Sequence, residues 1–263
     1  MPRTCAVLPG AVGFLVVLAT SLYLSGCQEK STEPIIAPEP IQEDLFQLIV
    51  GRKLTFSGYL RDKITDANIE STGAIYEARM TVTGVNIQTP YGTGHVLSDS
   101  QRVPSGLANP PSVWLVDQLY LQRSAPTGTD NISLLTNIGR FFRTFGIQRS
   151  DSLRWILLAK LDAGVGVDWV GLDDSWSTTS GQLRLQIVAR FDAKAPVTVG
   201  GQTFSAYRVT VIRKIYLGGS STPLLSAETS SVWLAPGIGI VKFILNSDGE
   251  TSGFYRELKS KNF

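Results

Sequence analysis

From Leu54 to Leu258 the chain repeats one pattern, apolar and polar residues taking turns along short segments, broken at one stretch only. Leu54, Phe56 and Leu60 alternate with Thr55, Ser57 and Arg61, and Tyr76, Ala78, Met80 and Val82 alternate with Glu77, Arg79, Thr81 and Thr83. The alternation returns at Val113 to Gln122 and is clearest where Leu183, Leu185, Ile187, Ala189 and Phe191 are set against Arg184, Gln186 and Arg190. Successive side chains of a strand point to opposite faces, so each segment reads as a strand with one buried and one wet face. Further strands are expected near Thr203 to Tyr216, Leu225 to Leu234, Ile238 to Leu245 and Gly253 to Leu258, with Gly200-Gly201, Gly218-Gly219 and Asp248-Gly249 as the turns between them. The expected fold is mainly β, an antiparallel meander of about eight to ten strands forming a sandwich or an open or closed barrel. Parallel units are disfavoured because no crossover helices are visible.

Two segments depart from period two, and one or two short helices are expected there. Pro40 precedes Ile41, Leu45, Leu48 and Ile49 at helical spacing, and Gly51 stands where a C-cap glycine belongs. From Ile132 to Ile147, Leu135, Ile138, Phe142 and Phe145 recur at helical spacing, with Gly139 against it. That second segment is read either as core packed over a barrel end, or as a lid over a lipid pocket or an amphipathic membrane contact.

The first residues are of another kind. Arg3 precedes an uncharged apolar run from Ala6 to Leu24, which ends at Leu24-Ser25-Gly26-Cys27. A charged start, an apolar middle and small residues at the cut make a signal peptide, and the last four residues resemble the lipobox of bacterial lipoproteins. The resemblance implies cleavage between Gly26 and Cys27 and acylation of the Cys27 sulfur. The competing reading, an uncleaved transmembrane helix, is weakened by Pro9, Gly10 and Gly13. The organisation expected is a signal peptide over 1–26, a lipidated cysteine and flexible tether over 27–44, and a single β-rich extracytoplasmic domain over 45–263. Pro34, Pro38 and Pro40 favour an extended tether, with a reach of about 50 Å. Two or more acyl chains make attachment to a membrane effectively permanent. Gln28 follows the cysteine where an aspartate tends to retain lipoproteins of enteric-type bacteria at the inner membrane, so the resemblance implies a cell-envelope address with the outer membrane favoured.

Charge and residue inventory narrow the function. A net charge of +2 with 17% charged residues offers no basic field for nucleic acid. Cys5 lies in the leader, so the mature chain holds one thiol and can form no internal disulfide. One histidine, His95, sits in what reads as a turn leading into a strand; no G-x-S-x-G elbow accompanies it, and a zinc site lacks ligands. Gly164-Val165-Gly166 and Gly237-Ile238-Gly239 each begin like a nucleotide fingerprint and do not complete it, so they read as bends or close strand contacts and no cofactor is expected. The most suggestive stretch is Asp162, Asp168, Trp169, Asp173, Asp174 and Trp176. It reads first as a solvated acidic loop whose tryptophans cover a sheet end, and otherwise as carboxylates and flat rings for sugar or calcium.

Two stretches near the C-terminus, Val199-Gly200-Gly201-Gln202-Thr203-Phe204-Ser205-Ala206-Tyr207 and Val232-Trp233-Leu234-Ala235-Pro236-Gly237-Ile238-Gly239-Ile240-Val241-Lys242, resemble a pattern in lipoproteins of unknown activity from Bacteroidota and related phyla, as does Gly164 to Trp169. The resemblance implies a β-rich exported domain and carries no catalytic residue with it. The function expected is a non-catalytic, membrane-anchored β domain that binds a hydrophobic or envelope ligand or a protein partner. An apolar cavity of about 300 Å³ or more would favour the ligand. The alternatives are an envelope polysaccharide-binding or polysaccharide-hydrolysing protein, for which carboxyl groups must face one another across a cleft, and a structural assembly subunit.

Overall fold

The alternating segments pair in sequence order, because each polar turn returns the chain beside the strand it has just left. The computed structural model describes residues 38–62, 65, 67–69, 76–103, 113–124, 131–138, 152–178, 181–246 and 252–263. Among them are thirteen strands: β1 (Lys53–Asp62), β2 (Tyr76–Thr89), β3 (Gly92–Val103), β4 (Val113–Ser124), β5 (Asn131–Asn137), β6 (Leu153–Ala159), β7 (Asp168–Thr178), β8 (Gly181–Phe191), β9 (Ala195–Val199), β10 (Gln202–Leu217), β11 (Leu225–Ala235), β12 (Gly239–Asn246) and β13 (Ser252–Lys261). Their ladders run β6-β5-β4-β3-β2-β1-β13-β12-β11-β10-β8-β7, all antiparallel, with β9 added as a hairpin arm on β10. The first strand thus joins the last: Leu54 faces Met80 of β2 on one side and Lys261 of β13 on the other.

The sheet curls into a nearly closed barrel. Its two ends, β6 and β7, run antiparallel side by side without a ladder, and side chains join them. Trp169 Nε1 donates to the Leu157 carbonyl at 3.0 Å, and Arg154 Nε bonds Asp174 Oδ2 at 2.9 Å. Gly171 permits the approach, since a Cβ there would stand 2.7 Å from the Leu157 oxygen.

The expected sheet class holds, with more strands than the alternation disclosed. Four went unread. The stretch expected as an acidic loop is strand β7, preceded by a single 3-10 turn, Leu161–Ala163, and residues 92–103, 131–137 and 153–159 are strands as well. Of the helix expected over 132–147, residues 131–137 pair with β4 and β6 instead, and 139–147 lie outside the described residues.

The helix expected from Ile41 to Ile49 is also replaced. Residues 38–49 run without helix, and the backbone groups that a helix would pair internally are bound by tertiary partners. Ile41 N donates to the Leu161 carbonyl, Gly237 N donates to the Asp44 carbonyl, and the Arg123 guanidinium bonds both the Asp44 carboxylate and the Phe46 carbonyl. These partners sit on the β6–β7 connection, the β11–β12 turn and β4, so the segment is a strap across one end of the barrel. Ile41, Leu45 and Phe46 are buried in the main core with Val82, Leu97, Leu121, Phe191, Val209 and Leu234. Residues 38–44, expected as tether, therefore belong to the folded unit that runs from Pro38.

One buried ion pair crosses the sheet. Arg256 on β13 reaches Asp99 on β3, with Nη1 at 3.0 and 2.9 Å from the two carboxylate oxygens and Nη2 at 2.8 Å from Gln101 Oε1. Gly58 of β1 stands opposite Arg256 and leaves room for its stem, because a Cβ there would meet the Arg256 Cγ at 3.1 Å.

Candidate functional site

The six residues singled out between 162 and 176 are brought onto one edge of the barrel but not into one site. Asp162 pairs with Lys160 on the 3-10 turn. Along β7 the remaining five alternate. Trp169 and Trp176 are buried, Trp169 against Phe191 with ring centroids 5.1 Å apart. Asp174 faces Arg154 across the seam, whereas Asp173 points to the other face, where Arg184 Nε bonds it at 2.6 Å and Gln186 adds a second contact. The Arg184 guanidinium holds the Asp173 carboxyl below its ordinary value against the opposing effect of desolvation. Asp168 lies on the outer face beside Arg190. Each carboxylate has a basic partner and adjacent ones diverge, so no facing pair of carboxyl groups is formed. Among the described residues no three His, Cys, Asp or Glu side chains converge to hold a metal ion. No helix of the described residues is long and apolar enough to cross a membrane. Gly26 and Cys27 lie outside the described residues.

His95, expected in a turn, is instead inside β3 and buried, opposite Leu121. Asp99, the carboxylate nearest it in sequence, is held by Arg256. The glycine pairs read as bends are bends: Gly164, Gly166, Gly237 and Gly239 all have positive φ. At Gly164 the close approach is to the strap, since a Cβ would lie 2.6 Å from the Glu39 carbonyl.

Among the described residues, a concave feature lies elsewhere, under the strap. A cavity of about 90 Å³ is roofed by Phe46 and Leu48 and floored by Val82, Leu97 and Leu121, with Ile240 at its side. Its lining is apolar except for Gln47 and Arg52. Phe263 completes the wall, and the sequence explains how: Asn262 Oδ1 accepts from Lys53 N and its Nδ2 donates to the Gly51 carbonyl, so the next residue is presented to Arg52. The Arg52 guanidinium lies 4.1 Å from the Phe263 ring centre. The volume is well below the roughly 300 Å³ of a small-molecule site and less than the about 150 Å³ that encloses a benzene ring. It accommodates part of an alkyl chain. Sequence reasoning passed over Arg52 and Phe263, because only the β1 to β13 pairing brings the two ends of the chain together.

The strap that roofs this cavity is locked by a polar cluster. Glu43 takes a hydrogen bond from Lys194 and another from the Tyr207 hydroxyl at 2.7 Å. Those two bonds hold the Glu43 carboxyl below its ordinary value, Lys194 contributing most. Desolvation, then the bond to Glu43, pushes the Tyr207 hydroxyl up to about 12.

No protein-family description matches the chain, and no curated protein resembles it in sequence. Two solved structures are similar in outline. One is a candidate lipoprotein from Parabacteroides distasonis ATCC 8503, 13% identical, covering 84% of this chain and 99% of its own, with a TM-score of 0.44. The other is a candidate exported protein with a YmcC-like fold from Bacteroides fragilis NCTC 9343, 14% identical, covering 86% of this chain and 100% of its own, also with a TM-score of 0.44.

Proposed function

We propose that the chain is a lipoprotein of the cell envelope, anchored through Cys27 in the outer membrane, whose barrel is a non-catalytic binding module for the apolar part of a chain-like ligand. The observation that carries the binding half is the apolar cavity beneath the strap. Burying alkyl surface there is favourable at roughly 25 cal/mol per Å². The anchor is read from Leu24-Ser25-Gly26-Cys27. Together they describe a protein that holds an alkyl chain near the membrane to which it is itself tied.

The polysaccharide alternative loses its motivating observation, because the carboxylates behind it diverge along β7. The test is uptake of a fluorescent alkyl probe by the purified protein. Saturable uptake is expected, and Val82→Phe, which fills the cavity floor, should abolish it while the thermal unfolding transition stays cooperative. Failure of the unmodified protein to bind the probe would remove the binding half of the proposal. Cys27→Ser tests the other half separately: the protein should move from the membrane to the soluble fraction of the envelope.

A further inference from the structure

We infer that the cavity selects a single alkyl chain carrying an anionic head, and that Arg52 is the residue that binds the head. The inference rests on the binding module proposed above and adds the chemistry of its ligand. Three observations meet at one place. The lining is hydrocarbon apart from Gln47 and Arg52, so a polar ligand has nowhere to lie except at those two side chains. The space, about 90 Å³, admits a slender chain but neither a second chain nor a ring system.

The third observation concerns the guanidinium itself. Arg52 Nη1 is shielded from solvent, and no described residue accepts a hydrogen bond from it. Its partner is the face of Phe263, 4.1 Å away, which satisfies the charge in part and leaves the buried Nη1 donor without an acceptor among the described residues. A buried donor left unmade is costly, and a guanidinium presents a planar fork that matches a carboxylate or phosphate. A neutral alcohol or hydrocarbon would leave the cation uncompensated. An anionic head supplies what the chain does not, while its tail fills the space between the strap and the floor.

The experiment is calorimetric titration of the full-length protein in low salt with octanoate and with octanol, which share a chain and differ in the head. The unmodified protein should bind octanoate roughly ten- to a hundredfold more tightly than octanol, the range expected when one hydrogen-bonded charge pair forms. Arg52→Gln should abolish that preference while keeping octanol affinity, and Arg52→Lys should retain part of it. A raised thermal midpoint of the unmodified protein in octanoate, absent in Arg52→Gln, would confirm that the effect is binding to folded protein. Equal affinity for both compounds, or a preference that survives Arg52→Gln, overturns the assignment of Arg52 and leaves the cavity reading intact. Binding of neither compound overturns both.

Discussion

At the scale of single residues, two polar contacts decide how the barrel end behaves with pH. Tyr207 titrates near 10.0 when unfolded and about 12 when folded. A hydroxyl whose value is raised by folding contributes stability that is complete below the unfolded value and is lost as pH rises from 10.0 towards about 12. The strap should therefore undock in that window. Tyr207→Phe should remove the alkaline transition, monitored by Trp169 fluorescence against pH. The acid side runs the other way: Glu43 is lowered, so its contribution is present above 4.5 and is lost as pH falls below it. Deeper in the sheet, Arg256 and Asp99 have only 12% and 18% of their side chains exposed. Asp99→Ala leaves a buried guanidinium without its anion and should cost about 3 kcal/mol or more by urea denaturation. Replacing both by apolar residues should recover much of that loss, because the double change strands no charge. The pairing was not legible in the sequence. Asp99 and Arg256 look like wet-face residues there, and only the fold shows them meeting across two strands.

At the scale of elements, the strap and the β6–β7 seam are the parts that tertiary contacts assemble. The strap has the apolar spacing of a helix, yet its prolines and its bonds to Leu161, Gly237 and Arg123 hold it extended. Leu45 is 1% exposed in the core, so Leu45→Ala should destabilise the protein by about 2–5 kcal/mol. Gly164→Ala should loosen the strap selectively, since φ there is +74° and the new Cβ would strike the Glu39 carbonyl. The seam depends on an indole N–H and one ion pair where the other neighbours share ladders. Trp169→Phe should raise amide hydrogen exchange in β6 and β7 while leaving β2 and β3 protected. Strand β8 was legible because its wet face carries Arg184, Gln186 and Arg190 against an unbroken apolar face from Leu183 to Phe191. Strand β7 was not, because the irregularity between Val170 and Leu172 shifts the phase of alternation, so that no single period of two runs from Trp169 to Trp176. Strand β3 was hidden for a related reason: Asp99 and Gln101 stand on its inner face, compensated by Arg256.

At the scale of the whole molecule, the barrel is completed by pairing β1 with β13, strands at opposite ends of the described chain. Such a contact must await nearly everything between, so folding should be slow for the size, in the range of milliseconds to seconds or longer by stopped-flow fluorescence. The same pairing creates the cavity wall, since Phe263 reaches Arg52 only once the last strand is in place. The sequence by itself determined the class of the fold, because a period of two with glycine turns and no crossover helices admits only antiparallel sheet. It also determined the expectation of an acylated front end, which is a local code. Tertiary structure alone decided that the sheet closes nearly into a barrel, that residues 38–44 are part of it, that the acidic stretch is a strand with diverging carboxylates, and that an apolar space forms beneath the strap. The physical reason is range. Alternation is written within a few neighbouring residues, whereas closure, buried ion pairs and cavities depend on groups far apart in sequence, whose meeting is fixed by packing and not by any local preference.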